Sequence, residues 1–443
     1  MLEIYKQTGI TGVLDFAGHV AKSGAVGFLL GQHSDSEADH ELLPARLGIE
    51  DDKRRWAVSG FVSGRFEAGG WSWVTSVLDE GWSQEQKAAL LAILPFGHDV
   101  WRHLPDLLGA DAALYWRKNR THYLNQIEDV TEAIEGLLSA GCGYSAIDVL
   151  DQAKTLHQFW KTDLCEKVLD SFVGGKVTDS PLTGTGHQLS EIFKQLQNEP
   201  NFPEPKMARY EWLFFEVFEH FSEFSRNKVR PVALERLLAS DPGFFCKALT
   251  MVFLPATTAA KKNEKRKKRA STPSERRRAQ HVWSLLHNWS VIPGVGIDGK
   301  FDGKVFASWV KKAFSQARKL DRLLVSQSVL GQAIRRGAPL ADDGFWMPHE
   351  IASFMEKRGN EKMRDAYGIA VSNSRGVYFL DPTMKEERAL ADKYNKQAEE
   401  AEERGYVGLA QVMRRAADFV MQHALQSKEK REVEKASFEA QKS

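Results

Sequence analysis

Cysteine is scarce in this chain. Among 443 residues only Cys142, Cys165 and Cys246 carry thiols, an odd number, widely spaced and without a CxxC pair. That scarcity argues against a disulfide framework or a zinc ribbon and leaves small buried thiols in a reducing compartment as the reading. Long hydrophobic runs are missing too: none approaches the roughly 18 residues of a membrane span, and the nearest, Ala88 to Phe96, is broken by Pro95. The opening Met1-Leu2-Glu3-Ile4-Tyr5-Lys6 lacks a basic stretch ahead of an apolar block, so no secretory signal is visible. Nor is charge of one sign in excess. Sixty Lys and Arg stand against 59 Asp and Glu, a formal net charge of +1, so no global field draws the molecule to nucleic acid or an anionic membrane. Stretches of strict alternation are sparse, which removes most of the case for β-structure. These absences lead us to expect an all-α, cytoplasmic protein with no membrane partner.

What is present is helical periodicity. A hydrophobic content of 42% with 12 Trp is ample for a packed core. The stretch His281–Leu320 reads as two amphipathic helices joined by the turn Ile292–Lys300. Val282, Leu285, Leu286 and Trp289 share one face, and Asp302 N-caps a second helix that aligns Val305, Phe306, Trp309, Val310 and Ala313. Upstream, Ile10, Val13, Leu14, Ala17 and Val20 recur at helical intervals. Gly24, Gly27 and Gly31 are spaced to let two helix backbones approach closely, and Lys53–Ala68 places Trp56, Ala57, Gly60, Phe61, Gly64 and Phe66 on a broad apolar face. Ser83 with Gln86, and Asp129 with Glu132, are capping-box starts. Turns are marked by Gly69-Gly70, Pro95-Phe96-Gly97 and Gly141-Cys142-Gly143, and the units recur roughly every 30 to 45 residues. The pattern predicts an irregular α-solenoid of TPR- or HEAT-like helical hairpins with a C-terminal helical domain. The aromatic run Met207–Phe224 is expected as one central helix, Ala370–Leu380 as a turn with a short strand, and Lys428–Ser443 as a fraying tail.

One composition break stands out. Between Ala259 and Arg278 lie Lys261, Lys262, Lys265, Arg266, Lys267, Lys268, Arg269, Arg276, Arg277 and Arg278, against only Glu264 and Glu275. The expected organisation is therefore a repeat-like domain over 1–258, a basic linker or loop over 259–280, a helical domain over 281–426 and a charged tail over 427–443. The basic segment suits either a solvated linker or phosphate contact by counterion release, and its lack of aromatic residues removes base stacking. Trp71, Trp73, Trp82, Trp101 and Trp116 suit either inter-helix packing or, where exposed, a protein-docking surface.

Catalytic signatures are weak. Gly294 to Lys300 satisfies the G-x-x-x-x-G-K part of a phosphate loop, but Phe301 stands where the magnesium hydroxyl belongs and a helix precedes it rather than a strand. His281 and His287 are six residues apart and His98 and His103 five, so neither pair is a metal pair on one helix face. HExxH and G-x-S-x-G are both missing. The expectation is a chain without metal or cofactor and without an assigned catalytic centre, with an enzyme site in an unread pocket kept as an alternative.

Two further clusters complete the reading: Asn373-Ser374-Arg375-Gly376-Val377, and Glu386-Glu387-Arg388-Ala389-Leu390-Ala391 with Tyr394. Together with His281–Asp302 and Asp343-Gly344-Phe345-Trp346-Met347-Pro348, they resemble the C-terminal helical region of large bacterial multidomain proteins. In those proteins the region follows an NTPase or effector module and is often linked to antiphage defence. Gly64-Arg65-Phe66 and Gly70-Trp71-Ser72-Trp73 fit the part upstream. Asp381-Pro382-Thr383 replaces a Gly-rich step and the basic loop is longer, both departures from that pattern. The resemblance implies a detached or truncated sensor half, a non-catalytic interaction module whose protein partner is an NTPase or effector subunit. The alternative is a nucleic-acid-binding accessory protein acting through 261–278.

Overall fold

The structure, a computed structural model, describes residues 1–78, 81–118, 130–157, 161–220, 229–257, 272–375 and 383–440. Twenty-three α-helices and two short 3₁₀ turns cover most of these residues. Among them no β-strand forms, and a single antiparallel bridge links Val295 to Phe301. The all-α expectation is met.

Two compact units divide the chain, Met1–Asn201 and Phe202–Ser443. The expected boundary at 259–280 falls inside the second unit, where the helix Pro242–Val252 packs on both Pro273–Asn288 and Gly303–Lys319.

In the first unit the helices Leu2–His19, Ser23–His33 and Asp52–Val77 form a tight trio. The Gly spacing works as anticipated. A Cβ on Gly27 would lie 1.7 Å from the Ala57 carbonyl oxygen, and one on Gly31 2.2 Å from that of Phe61. The partner helix returns the arrangement: a Cβ on Gly60 would lie 2.0 Å from the Gly24 carbonyl and one on Gly64 2.3 Å from that of Phe28. Only hydrogen fits at these four positions, so the two backbones pack at a distance that ordinary ridges would prevent. Gly69-Gly70 punctuates the helix as expected: Gly70 takes φ 55° and ψ -147°, outside the helical region, and two helical segments meet there within Asp52–Val77. Trp56 points outward at 57% exposure, off the face it was assigned. The capping box of Ser83 and Gln86 forms as read, whereas Asp129 lies outside the described residues and the next helix begins at Thr131.

In the second unit the helices Pro273–Asn288 and Gly303–Lys319 meet at a buried aromatic cluster. Trp289 and Trp309 are buried with their ring centroids 6.0 Å apart, and Phe245 closes the cluster at 5.5 and 5.0 Å. Asp302 caps its helix by accepting from the N–H groups of Lys304 and Val305. Val305 itself is 51% exposed, because the buried stripe runs through Phe306, Trp309, Val310, Ala313, Phe314 and Ala317. The aromatic run breaks at Phe214 into Glu204–Leu213 and Phe215–His220, with Phe221 and Phe224 outside the described residues. Of the expected turn and strand over 370–380, residues Ala370–Ser372 end a helix and Asn373–Arg375 form a 3₁₀ turn. Downstream, the helix Val407–Ala440 continues through the stretch expected to fray.

The glycine packing leads to a measurable cost. Gly27→Ala should destabilise the protein by about 1–3 kcal/mol, the range for forcing a methyl into a filled core, read from the urea midpoint. Gly48→Ala, with nothing within 4 Å of the added carbon, should stay near neutral. Equal midpoints for the two variants would contradict the close approach.

Candidate functional site

Four of the five tryptophans singled out above are interior. Trp73, Trp82, Trp101 and Trp116 are buried, and only Trp71 is half-exposed. Packing accounts for the four: Trp101 and Trp116 lie 5.7 Å apart, Phe96 meets both edge-on, and Trp116 covers Gly136 so closely that a Cβ there would be 2.2 Å from the indole. Trp73 donates to Asp39, whose buried carboxylate also takes two hydrogen bonds from Arg65 at 2.9 and 2.6 Å. Arg65 further donates to the Ser34 carbonyl, so this ion pair is paired and hydrogen-bonded on both sides, as burial requires.

Trp71 differs. Its ring stacks on His103 at 3.7 Å, its indole N–H donates to Asp99 at 2.7 Å, and it meets Phe66 edge-on. Phe66 in turn lines an open cleft of about 620 Å³ with Phe28, Ile93, Pro95, Ser63 and Glu67. Of its apolar walls, Phe28 and Phe66 come from the helices locked by the glycine contacts, whereas Ile93 and Pro95 lie beyond the end of the helix Gln84–Leu91.

Lys261, Lys262, Lys265, Arg266, Lys267, Lys268 and Arg269 lie outside the described residues. The flanks of the basic segment are well defined. Thr257 donates its N–H and hydroxyl to Asp321 at 2.7 and 2.6 Å, and Ala256 N–H donates to the Asp321 carbonyl. On the far side Thr272 and Glu275 form a capping box. Both flanks thus belong to the second unit. Arg276, Arg277 and Arg278 are exposed near the start of the helix Pro273–Asn288, and Arg277 pairs with Glu216 at 3.4 Å.

The glycine turn spends its own donors. Gly296 N–H donates to the Lys300 carbonyl, Gly299 N–H to that of Gly296, and Lys300 N–H to the Asp298 carboxylate. The groups a phosphate loop would aim at a ligand are consumed within the turn. Among the described residues no group of three or more His, Cys, Asp or Glu is arranged around a metal position. His281 stacks on Phe215 and His287 on Trp283.

Sequence reasoning missed the hub of the second unit, Glu235. This carboxylate is buried and accepts from Arg230 at 3.1 and 2.6 Å, from Ser290 N–H at 2.8 Å, from Ser290 Oγ at 3.1 Å and from Val291 N–H at 3.2 Å. Beside it opens a cavity of about 350 Å³, walled by Phe215, Phe218 and Leu285 and bearing Arg230, Ser284, Asn288 and Arg336. A second missed cluster joins His349 to Asp343 at 3.1 Å and to the Tyr406 hydroxyl at 3.2 Å, with Arg404 over the Phe345 ring. Asp343 is held below the usual carboxylate range first by the Phe345 N–H and then by His349 and Arg404. The cluster fastens the loop before His349 to the turn before Val407. Each grouping joins short local pairs, Arg230 with Glu235 and Asp343 with His349, to residues more than 50 positions away, and that long-range half left no sequence signal.

Comparison with family models, curated proteins and solved structures returned no match.

The three thiols are buried, and burial pushes Cys142 and Cys246 up to about 11 and Cys165 up to about 12. A raised folded value stabilises the fold below the unfolded thiol range, and that contribution is lost as pH climbs through the folded values. Native protein at pH 8 should therefore resist a thiol-specific disulfide reagent, and urea should expose all three groups. The urea midpoint should fall as pH rises from about 9. Rapid labelling of the native protein would refute the assignment.

Proposed function

We propose that this protein is a non-catalytic interaction or sensing module, an irregular α-solenoid of helical hairpins whose first-unit cleft receives a protein partner. The observation that carries the reading is the open apolar cleft of Phe28, Phe66, Ile93 and Pro95 beside half-exposed Trp71. Stacked helical hairpins offer extended surfaces of this kind, and aromatic residues beside apolar clefts favour protein contacts. The polar clusters described above support the reading from the other side, because Glu235, Asp39 and Asp343 serve as clamps within the fold. The resemblance to helical regions of bacterial defence proteins points to an NTPase or effector subunit as partner and to a cytoplasmic setting in antiphage defence. Co-purification from a bacterial host with mass spectrometry tests this. A specific protein should be recovered with the parent chain and lost with Phe28→Glu and with Ile93→Glu, each variant retaining its helical circular dichroism. Recovery of the same proteins with all three chains would refute the cleft as the docking site.

A second reading, nucleic-acid contact through 261–278, draws on Arg276 and Arg277. Both are exposed in the first turns of a helix, where the dipole disfavours cations, and of the two Arg277 also pairs with Glu216. Binding to duplex DNA or RNA should weaken steeply with salt and vanish when 261–269 is deleted and Arg276, Arg277 and Arg278 are changed to Gln. Salt-insensitive binding, or none, would remove this reading.

A further inference from the structure

The cavity of the second unit is lined by two arginines, Arg230 and Arg336, and one carboxylate, Glu235, which also acts on Arg336 through its charge. Arg230 and Glu235 face each other within it, and Glu235 has both carboxylate oxygens occupied by Arg230, Ser290 and Val291. Arg336 lines the same cavity yet makes no hydrogen bond or ion pair among the described residues. Its position is imposed by its neighbour: a Cβ on Gly337 would lie 1.5 Å from the Ser290 carbonyl oxygen, so the chain beside Arg336 is pressed against the turn that Glu235 holds. The guanidinium is thus anchored through its backbone and offered to the cavity by its side chain.

Among the described residues that line the space, the formal charges sum to one excess cation. Arg230 and Arg336 are positive and Glu235 negative. His287, which feels the Arg336 charge, is shifted towards neutrality by burial and then by Arg336 itself, and His281 stacks on the lining residue Phe215. The same space is lined by Phe215, Phe218 and Leu285, and Ser284 and Asn288 supply neutral polar groups. Its volume of about 350 Å³ lies within the range of small-molecule sites, which combine apolar walls with a few placed polar groups.

We propose that this cavity is a binding site for a small organic anion, its acidic head on Arg336 and its apolar or aromatic body against Phe215, Phe218 and Leu285. A guanidinium binds carboxylate and phosphate alike through paired N–H donors. The site is separate from the first-unit cleft, so the two readings stand or fall independently.

Calorimetric titration of the full chain tests it, with 3-phenylpropionate and phenyl phosphate as probes and neutral 3-phenylpropanol as reference. At least one anion should bind saturably, with the alcohol about tenfold weaker or more. Arg336→Gln should cost about tenfold or more in affinity for that anion while leaving the melting temperature unchanged, and Arg335→Gln should bind as the parent does. Whichever anion binds more tightly identifies the head group. Equal binding of the alcohol, an unaffected Arg336→Gln variant, or no saturable binding of either anion would overturn the proposal.

Discussion

Helix backbones in this protein touch where a side chain would normally hold them apart, and much else rests on those contacts. In the first unit Gly24, Gly27, Gly31, Gly60 and Gly64 seat Ser23–His33 directly on Asp52–Val77. Once that pair is locked, Phe28 and Phe66 have fixed places, and with them the wall of the cleft. In the second unit the same device recurs at Gly337 against Ser290 and at Gly331 against Met363. There it sets the register between Leu323–Gly337 and its neighbours, and so the approach of Arg336 to the cavity. Close backbone contact is unforgiving because carbonyl oxygens cannot rotate away as side chains do.

A second device joins helices that are distant in sequence. Carboxylates from one helix or loop cap the exposed N–H groups at the start of another. Glu211 accepts from Ala233 and Leu234, Glu356 from Gly408 and Leu409, and Asp179 from Tyr144 and Ser145. Each satisfies donors that the helix cannot satisfy internally, and each places negative charge at the positive end of a helix dipole. Glu235 does the same for the turn at Ser290 and Val291 and additionally neutralises Arg230. Such caps orient two elements at once, which a local Ser or Asp cap does not do.

These two devices engage several of the polar side chains that are buried among the described residues. Asp39, Glu211 and Glu235 are buried, but their lone pairs are committed to Arg65, to helix N–H groups or to Arg230. The two recesses described above differ in lining, a cleft with apolar walls in one unit and a cavity bearing Arg230, Arg336 and Glu235 in the other. They call on different chemistry, desolvation of apolar area in the first and charge pairing in the second.

Residue order alone settled what depends on neighbours within a turn or two. Helical periodicity located the buried faces around Ile10 to Ala17, Val282 to Trp289 and Phe306 to Ala313, and local capping signals placed starts at Ser83 and Asp302. The close-approach spacing of Gly24, Gly27 and Gly31 was legible for the same reason, since it is a property of one helix face. Tertiary structure decided the rest. Whether a tryptophan is core or surface depends on what packs over it, which left Trp101 and Trp116 inside and Trp56 out. Caps supplied from 22 to 53 residues away, such as Glu211 and Glu356, leave no local pattern. The cavity likewise joins Arg230, Asn288 and Arg336, whose proximity exists only once Gly337 has met Ser290.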